Sequence, residues 1–203
     1  MTATHTMIDS PIGGLTLVAV NGALSGLYFP GHWTRPDRAT FGEPSMRGFE
    51  EVERQLAEYF AGERTTFTLA VARAGDAFQR KVWALIERIP YGATSTYGRL
   101  ARELGDANLA RAVGGAVGAN PLSLIVPCHR VVGTNGKLTG YAGGLERKRF
   151  LLDLEAGLMS LGCASDPKGQ ASFCSEERRV DDAQGAGGDH DVDLRVHQGT
   201  ERP

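Results

Sequence analysis

The chain of 203 residues is 41% hydrophobic and 23% charged with a net charge of −2, which suits one ordinary domain or a small one packed on a second. That balance excludes a general polybasic nucleic-acid binder, and no apolar run nears the roughly 20 residues needed to span a bilayer. Three widely spaced cysteines (Cys128, Cys163, Cys174) exclude a disulfide framework, and the N-terminus lacks the basic and apolar regions of a secretory signal, so a reducing, cytoplasmic setting is expected. Charge is unevenly spread. Residues 76–155 carry 11 Lys/Arg against 7 Asp/Glu, while residues 156–203 carry 5 against 9. A basic middle between acidic ends fits DNA contact through one face.

In chain order, Leu15–Val20, Asn21-Gly22 and Ala23–Phe29 read as a hairpin closed by a tight primed turn. Residues 30–45, rich in Gly, Pro and Arg, read as loop. Phe49, Val52, Leu56 and Phe60 recur at helical spacing and stop at Gly62. Thr65–Ala70 is expected as the last strand of a small sheet. Asp76 is placed to cap a helix with the apolar face Phe78, Val82, Leu85 and Ile89, ended by Pro90. Two short helices follow, Thr96–Leu104 and Leu109–Ala119, separated by Gly105 and Asp106–Asn108. This is helix-turn-helix spacing, and also that of an ordinary helical hairpin. Leu124–Val126 reads as a short buried strand or extended segment, residues 133–144 with five Gly as a loop, and Leu145–Ala156 as a helix capped by Gly157. The expected fold is α/β (α+β): a small N-terminal sheet-plus-helix domain over 1–75, a mostly helical domain over 76–157, and a disordered acidic tail over 158–203.

Pro127-Cys128-His129-Arg130 carries the chemistry. A lone Cys in an apolar stretch is usually a small core residue. Here Pro127 fixes the approach of the chain, His129 offers a base and Arg130 a positive charge, the neighbours that shift a thiol toward its thiolate. From the residues alone, nucleophile and core residue both stand.

Pro127–Val131, with Asn120-Pro121 before it and Gly140-Tyr141-Ala142-Gly143-Gly144 after it, resembles the methylated-DNA–protein-cysteine methyltransferases, also called O6-alkylguanine-DNA alkyltransferases. The match includes Phe78, Val82-Trp83, Ile89–Gly92, Thr96–Gly98, Ala110–Gly114 and Leu154–Gly157. It covers residues 76–157, with a weaker fit over 6–70. The resemblance implies single-turnover DNA repair: Cys128 takes the alkyl group from O6-alkylguanine in double-stranded DNA, and the thioether formed is too poor a leaving group for turnover. It implies that His129 takes the thiol proton through a water, that Glu155 orients the imidazole, and that Asn120 is a hinge before the Cys segment.

The target base must leave the duplex. By the same resemblance Tyr97 presses on the flipped nucleotide and hydrogen-bonds the guanine, and Arg111 fills the vacated stack. Ala112, Gly114, Gly115, Ala116 and Gly118 let the second helix approach the minor groove, and Arg130 joins the DNA-binding set. Tyr141 and Gly143 wall the pocket, and backbone carbonyls near Cys128 and Val131 read the exocyclic amine. Where some relatives carry Ser, this chain has Ala142, so the pocket is roomier and permits O4-alkylthymine as well. The first cysteine is Cys128, too late for the N-terminal zinc of some relatives, so neither a metal nor a cofactor is expected. The expected protein is a monomer. The main alternative is a non-catalytic alkyltransferase-like damage sensor, which lacks the acceptor cysteine. A second is a helix-turn-helix regulator with a redox cysteine, which leaves Glu155 and the Gly140–Gly144 loop without a role.

Overall fold

The N-terminal hairpin is present in the computed structural model, which describes residues 2–159. Strands β1 (Ala3–Ile8), β2 (Leu15–Val20) and β3 (Ala23–Tyr28) form an antiparallel meander. Asn21 (φ 51°) and Gly22 (φ 79°) supply the two left-handed residues that a two-residue primed turn needs. A two-residue β4 (Glu43–Pro44) adds parallel to β1, so the sheet order is β3-β2-β1-β4. Leu15, Leu17, Leu27 and Phe29 are fully buried on its inner face.

Helix α1 (Glu50–Phe60) packs Val52, Leu56, Tyr59 and Phe60 inward. The strand expected over 65–70 is not formed. The chain there meets β3 at one isolated bridge, Leu24–Val71, in which the Leu24 N–H donates to the Ala70 carbonyl (2.9 Å). The reason lies in α1: the buried Gln55 side chain takes both polar groups of the Thr68 backbone, accepting its N–H (2.8 Å) and donating to its carbonyl (3.3 Å). Groups satisfied this way need no strand neighbour.

Helix α2 (Ala77–Glu87) opens on a capping box in which Asp76 accepts from the Gln79 N–H and Gln79 accepts from that of Asp76. Its buried face is Val82, Trp83 and Ile86, turned slightly from the expected stripe, and Phe78 and Leu85 are only half-buried. A two-residue β5 (Ser95–Thr96) leads into α3 (Tyr97–Glu103), capped by the Thr96 hydroxyl. After Gly105 and a single 3-10 turn comes α4 (Ala110–Gly118), packed against both α2 and α3. The two expected helices and the turn between them are thereby formed.

Leu124–Val126 is neither strand nor extended. Leu124 is left-handed (φ 70°) and the Val126 N–H returns to the Leu122 carbonyl (2.8 Å), making a compact turn. The short β6 (Val131–Val132) then pairs in parallel with β5, and α5 (Leu145–Glu155) closes the fold. One continuous core runs from Leu15 and Leu27 of the sheet through Tyr59, Ile86 and Leu100 to Leu151. Met159 packs against it, whereas Leu158 is exposed, so the packed chain reaches one residue past the expected start of the tail. The rest of the tail, with Cys163 and Cys174, lies outside the described residues. Among the described residues, no helix is long and apolar enough to cross a membrane.

Candidate active site

Cys128 opens a 3-10 turn (Cys128–Arg130) set by Pro127 and is almost fully buried at the floor of a cavity of about 330 Å³. The cavity is walled by Tyr97 and Gly114 of the helix pair, Asn120 and Ser123 of the compact turn, and Thr139–Ala142 of the Gly-rich loop. Asn120 clamps the turn at both ends: its Nδ2 donates to the Val126 carbonyl (2.9 Å) and its Oδ1 accepts from the Leu122 N–H (3.0 Å). Gly143 seats the loop on the sheet, because a Cβ there would stand 2.4 Å from the Phe29 ring.

Glu155 is buried. His129 Nε2 (2.8 Å), the Tyr59 hydroxyl (2.7 Å) and Arg130 Nη2 (2.9 Å) all donate to its Oε1, while Arg130 Nε (2.9 Å) and the Gly92 N–H (3.2 Å) donate to its Oε2. Burial alone would raise its pKa, but the hydrogen bonds from His129 and Arg130 outweigh this and hold the carboxyl at about 2. An ionised carboxylate only accepts, so His129 Nε2 carries the proton and Nδ1 is a bare lone pair. That Nδ1 has no partner among the described residues. Burial lowers the His129 pKa, with Glu155 opposing, which keeps the imidazole neutral and able to take a proton.

Burial pushes the Cys128 thiol above its ordinary range, against the opposing pull of Asn120, the Lys148 charge and nearby backbone N–H groups. At rest Cys128 is therefore the thiol, and the next residue in the chain carries an imidazole with a bare nitrogen. The expected cation was Arg130. Its guanidinium is instead buried and committed to Glu155 and to the Ile89 carbonyl (2.7 Å), so Arg130 does not join a DNA-facing surface. The positive charge near the thiol is Lys148, whose side chain is fully buried. Its Nζ donates to the carbonyls of Val131 (2.6 Å) and Thr139 (2.8 Å), and burial lowers its pKa to about 8. Neither Val131, whose carbonyl is thus occupied, nor Gly143 lines the cavity; Tyr141 and Ala142 do.

Arg111, Ala112 and Gly115 share the exposed face of α4, and Val113, Ala116 and Val117 the buried one. Tyr97 joins this face to the pocket. Its ring lies against Gly114, and its hydroxyl donates to the Thr139 carbonyl (3.3 Å) at the cavity mouth. Three residues of the site were missed in the sequence. Tyr59 falls on the apolar stripe of α1 and reads as core. Lys148 interrupts the buried stripe of α5 that continues through Leu151, Leu154 and Glu155, and a charge on that stripe was a usable signal. Trp33, which also walls the cavity, stands in a loop without pattern. Among the described residues, no cluster of three His, Cys, Asp or Glu could hold a metal ion.

Two family models match the chain: 6-O-methylguanine DNA methyltransferase, ribonuclease-like domain, over residues 4–72, and the DNA binding domain of the same name over residues 77–157. A methylated-DNA–protein-cysteine methyltransferase of Mycolicibacterium paratuberculosis is 47% identical over 148 residues, 73% of this chain and 89% of that one. A namesake in Methanosarcina acetivorans is 43% identical over 151 residues, 74% of this chain and 97% of its own. The crystal structure of Mycobacterium tuberculosis OGT in complex with DNA superposes with a TM-score of 0.72 at 45% identity, covering 76% of this chain and 93% of that one. The chain belongs to the 6-O-methylguanine DNA methyltransferase family, the methylated-DNA–protein-cysteine methyltransferases.

Proposed function

We infer that the protein repairs DNA by moving the alkyl group of O6-alkylguanine onto Cys128, once per molecule. The observation that carries this is the Glu155–His129 pair, which leaves a bare Nδ1 on the residue next in sequence to Cys128, a buried thiol that lines a pocket. His129 takes the thiol proton, through a water where the gap requires one. The thiolate attacks the alkyl carbon in line: the S–C bond forms as the C–O6 bond breaks, and the bonding pair leaves with the guanine ring. The proton shed by Cys128 returns to that ring. The thioether cannot be expelled, so the protein is spent.

The exposed face of α4 is the DNA-binding surface, with Arg111 entering the stack as the base leaves. Tyr97 faces the flipped nucleotide from the mouth, and Tyr141 and Ala142 bound the base. Residues 76–157 act as the DNA-binding and acceptor part; residues 1–75 support it through Tyr59. O4-alkylthymine presents the same alkyl–oxygen bond on a smaller ring and is accepted too. The protein acts as a monomer, a reading supported by a pocket lined from both parts of a single chain, and in the cytoplasm, where Cys128 stays reduced.

The test is incubation with a duplex containing O6-methylguanine, followed by peptide mass analysis. The Cys128 peptide gains one methylene, product plateaus at one per protein with excess substrate, and Cys128→Ser gives none. A methylated peptide of any kind from the Cys128→Ser variant, transfer to another residue of the natural protein or a continuing steady rate would overturn the assignment.

A further inference from the structure

Trp33 is 69% exposed, yet it walls the same cavity as Cys128. Its position is set on both sides. A Cβ at Gly118 would stand 3.1 Å from the indole, so the six-membered ring rests on bare backbone at the end of α4. The next residue pins the loop there: Thr34 Oγ1 donates to the Gly118 carbonyl (3.0 Å) and, its one proton spent, accepts from His32 Nε2 (3.0 Å). His32 is itself buried against Tyr28 and Phe29 at the end of β3. The loop is thus anchored at its root while the indole keeps an open face, a costly arrangement for an aromatic with nothing to cover it.

We propose that Trp33 is a specificity-determining residue: its open indole face is the platform for the part of a large apolar O6 substituent that extends beyond the reacting carbon. The inference rests on the alkyl-transfer reading above. In-line attack fixes sulfur, carbon and O6 on one axis, so the rest of the substituent projects sideways from it. The guanine takes the side of Tyr97, Tyr141 and Ala142; the cavity is also lined by Val117, Gly118, Ser123 and Trp33. A methyl group ends at the axis and never meets the indole. A benzyl group reaches it and stacks.

The experiment compares the full chain with Trp33→Ala and Trp33→Phe. O6-methylguanine and O6-benzylguanine are placed in one duplex sequence, and free O6-benzylguanine is run alongside. Trp33→Ala slows benzyl transfer about two- to tenfold, the loss of one aromatic stack, equally in duplex and free base. Its methyl transfer stays within about twofold and its melting temperature is unchanged; Trp33→Phe recovers most of the benzyl rate. The natural protein has two tryptophans, and Trp83 is buried with its Nε1–H on the Ala116 carbonyl, so exposed indole emission reports on Trp33. That emission shifts to the blue on benzylation and not on methylation. Equal slowing of both substrates, faster benzyl transfer, no change in either, or a benzyl loss confined to duplex DNA would each overturn the platform. Absence of methyl transfer by the natural protein would instead sink the parent reading.

Discussion

His129 and Glu155 have pKa values displaced downward by different balances of the same causes, and the displacement sets the pH behaviour of the site. Because burial keeps the imidazole neutral below its ordinary value of 6.5, the single-turnover rate constant should stay flat as pH falls from 7.5 through 6.5. A midpoint at or above 6.5 would remove His129 as the base. Both groups bind fewer protons folded than unfolded, so stability rises with pH across their range. The Glu155 contribution is complete above its unfolded value of 4.5 and is lost as pH falls toward about 2. The His129 part is already declining below 6.5, so the melting temperature should drop steadily from pH 7 to pH 4. Lys148→Met removes the cation beside the thiol and strands the carbonyls it serves. The apparent thiol pKa, followed by iodoacetamide labelling, should move further up, and transfer should slow at least tenfold. An unchanged thiol titration would show that Lys148 only braces the loop. Arg130 was misread because an arginine is almost never buried without a partner. Its partner, Glu155, lies 25 residues away, beyond any local pattern.

At the scale of elements, the role proposed for α4 can be tested apart from the thiol chemistry. Arg111→Ala should slow repair of O6-methylguanine in duplex DNA strongly, since unstacking and unpairing cost about a few kcal/mol and each 1.4 kcal/mol is roughly tenfold in rate. The free base O6-benzylguanine needs no flipping and should react almost normally, with Arg111→Lys between. Equal slowing of both would mean that Arg111 supports the fold. The helices were legible from local signals: α2 and α3 open on side-chain caps, the capping box of Asp76 and Gln79 and the Thr96 hydroxyl, and α1 shows in its apolar spacing. The hairpin was legible from its turn residues. What stayed hidden was decided by distant partners. Thr65–Ala70 has strand composition, but Gln55 captured its backbone, and Leu124 is left-handed because Asn120 fastens both ends of the turn around it. Cys128, His129 and Glu155 could be singled out through their motif, and the structure brings His129 and Glu155 together; Tyr59, Lys148 and Trp33 carried no motif.

For the whole molecule, the described residues 2–159 supply a continuous core and a lined pocket. A chain ending at Met159 should therefore keep its melting temperature and its transfer rate. Loss of soluble protein on this truncation would mean that later residues pack on the domain. Removing residues 1–75 should be far more damaging. It takes away the Tyr59 hydroxyl, the Phe29 ring under Gly143 and the Ile12 carbonyl held by Arg147 (2.7 Å). The fragment 76–159 should fail to transfer methyl even where it retains helical circular dichroism.

The hydrogen bond from Tyr59 to Glu155 joins residues 96 apart in sequence, and it gives the protein a sense of timing. Contacts that close long loops are slow to form, and synthesis runs from the N-terminus. A growing chain thus owns its thiol well before α5 brings the carboxylate that fixes the base. Until that last helix docks, Cys128 is an ordinary thiol and the single reaction each molecule can perform is held in reserve. In refolding experiments, recovery of methyl transfer should lag burial of Trp83, and the lag should lengthen in Tyr59→Phe.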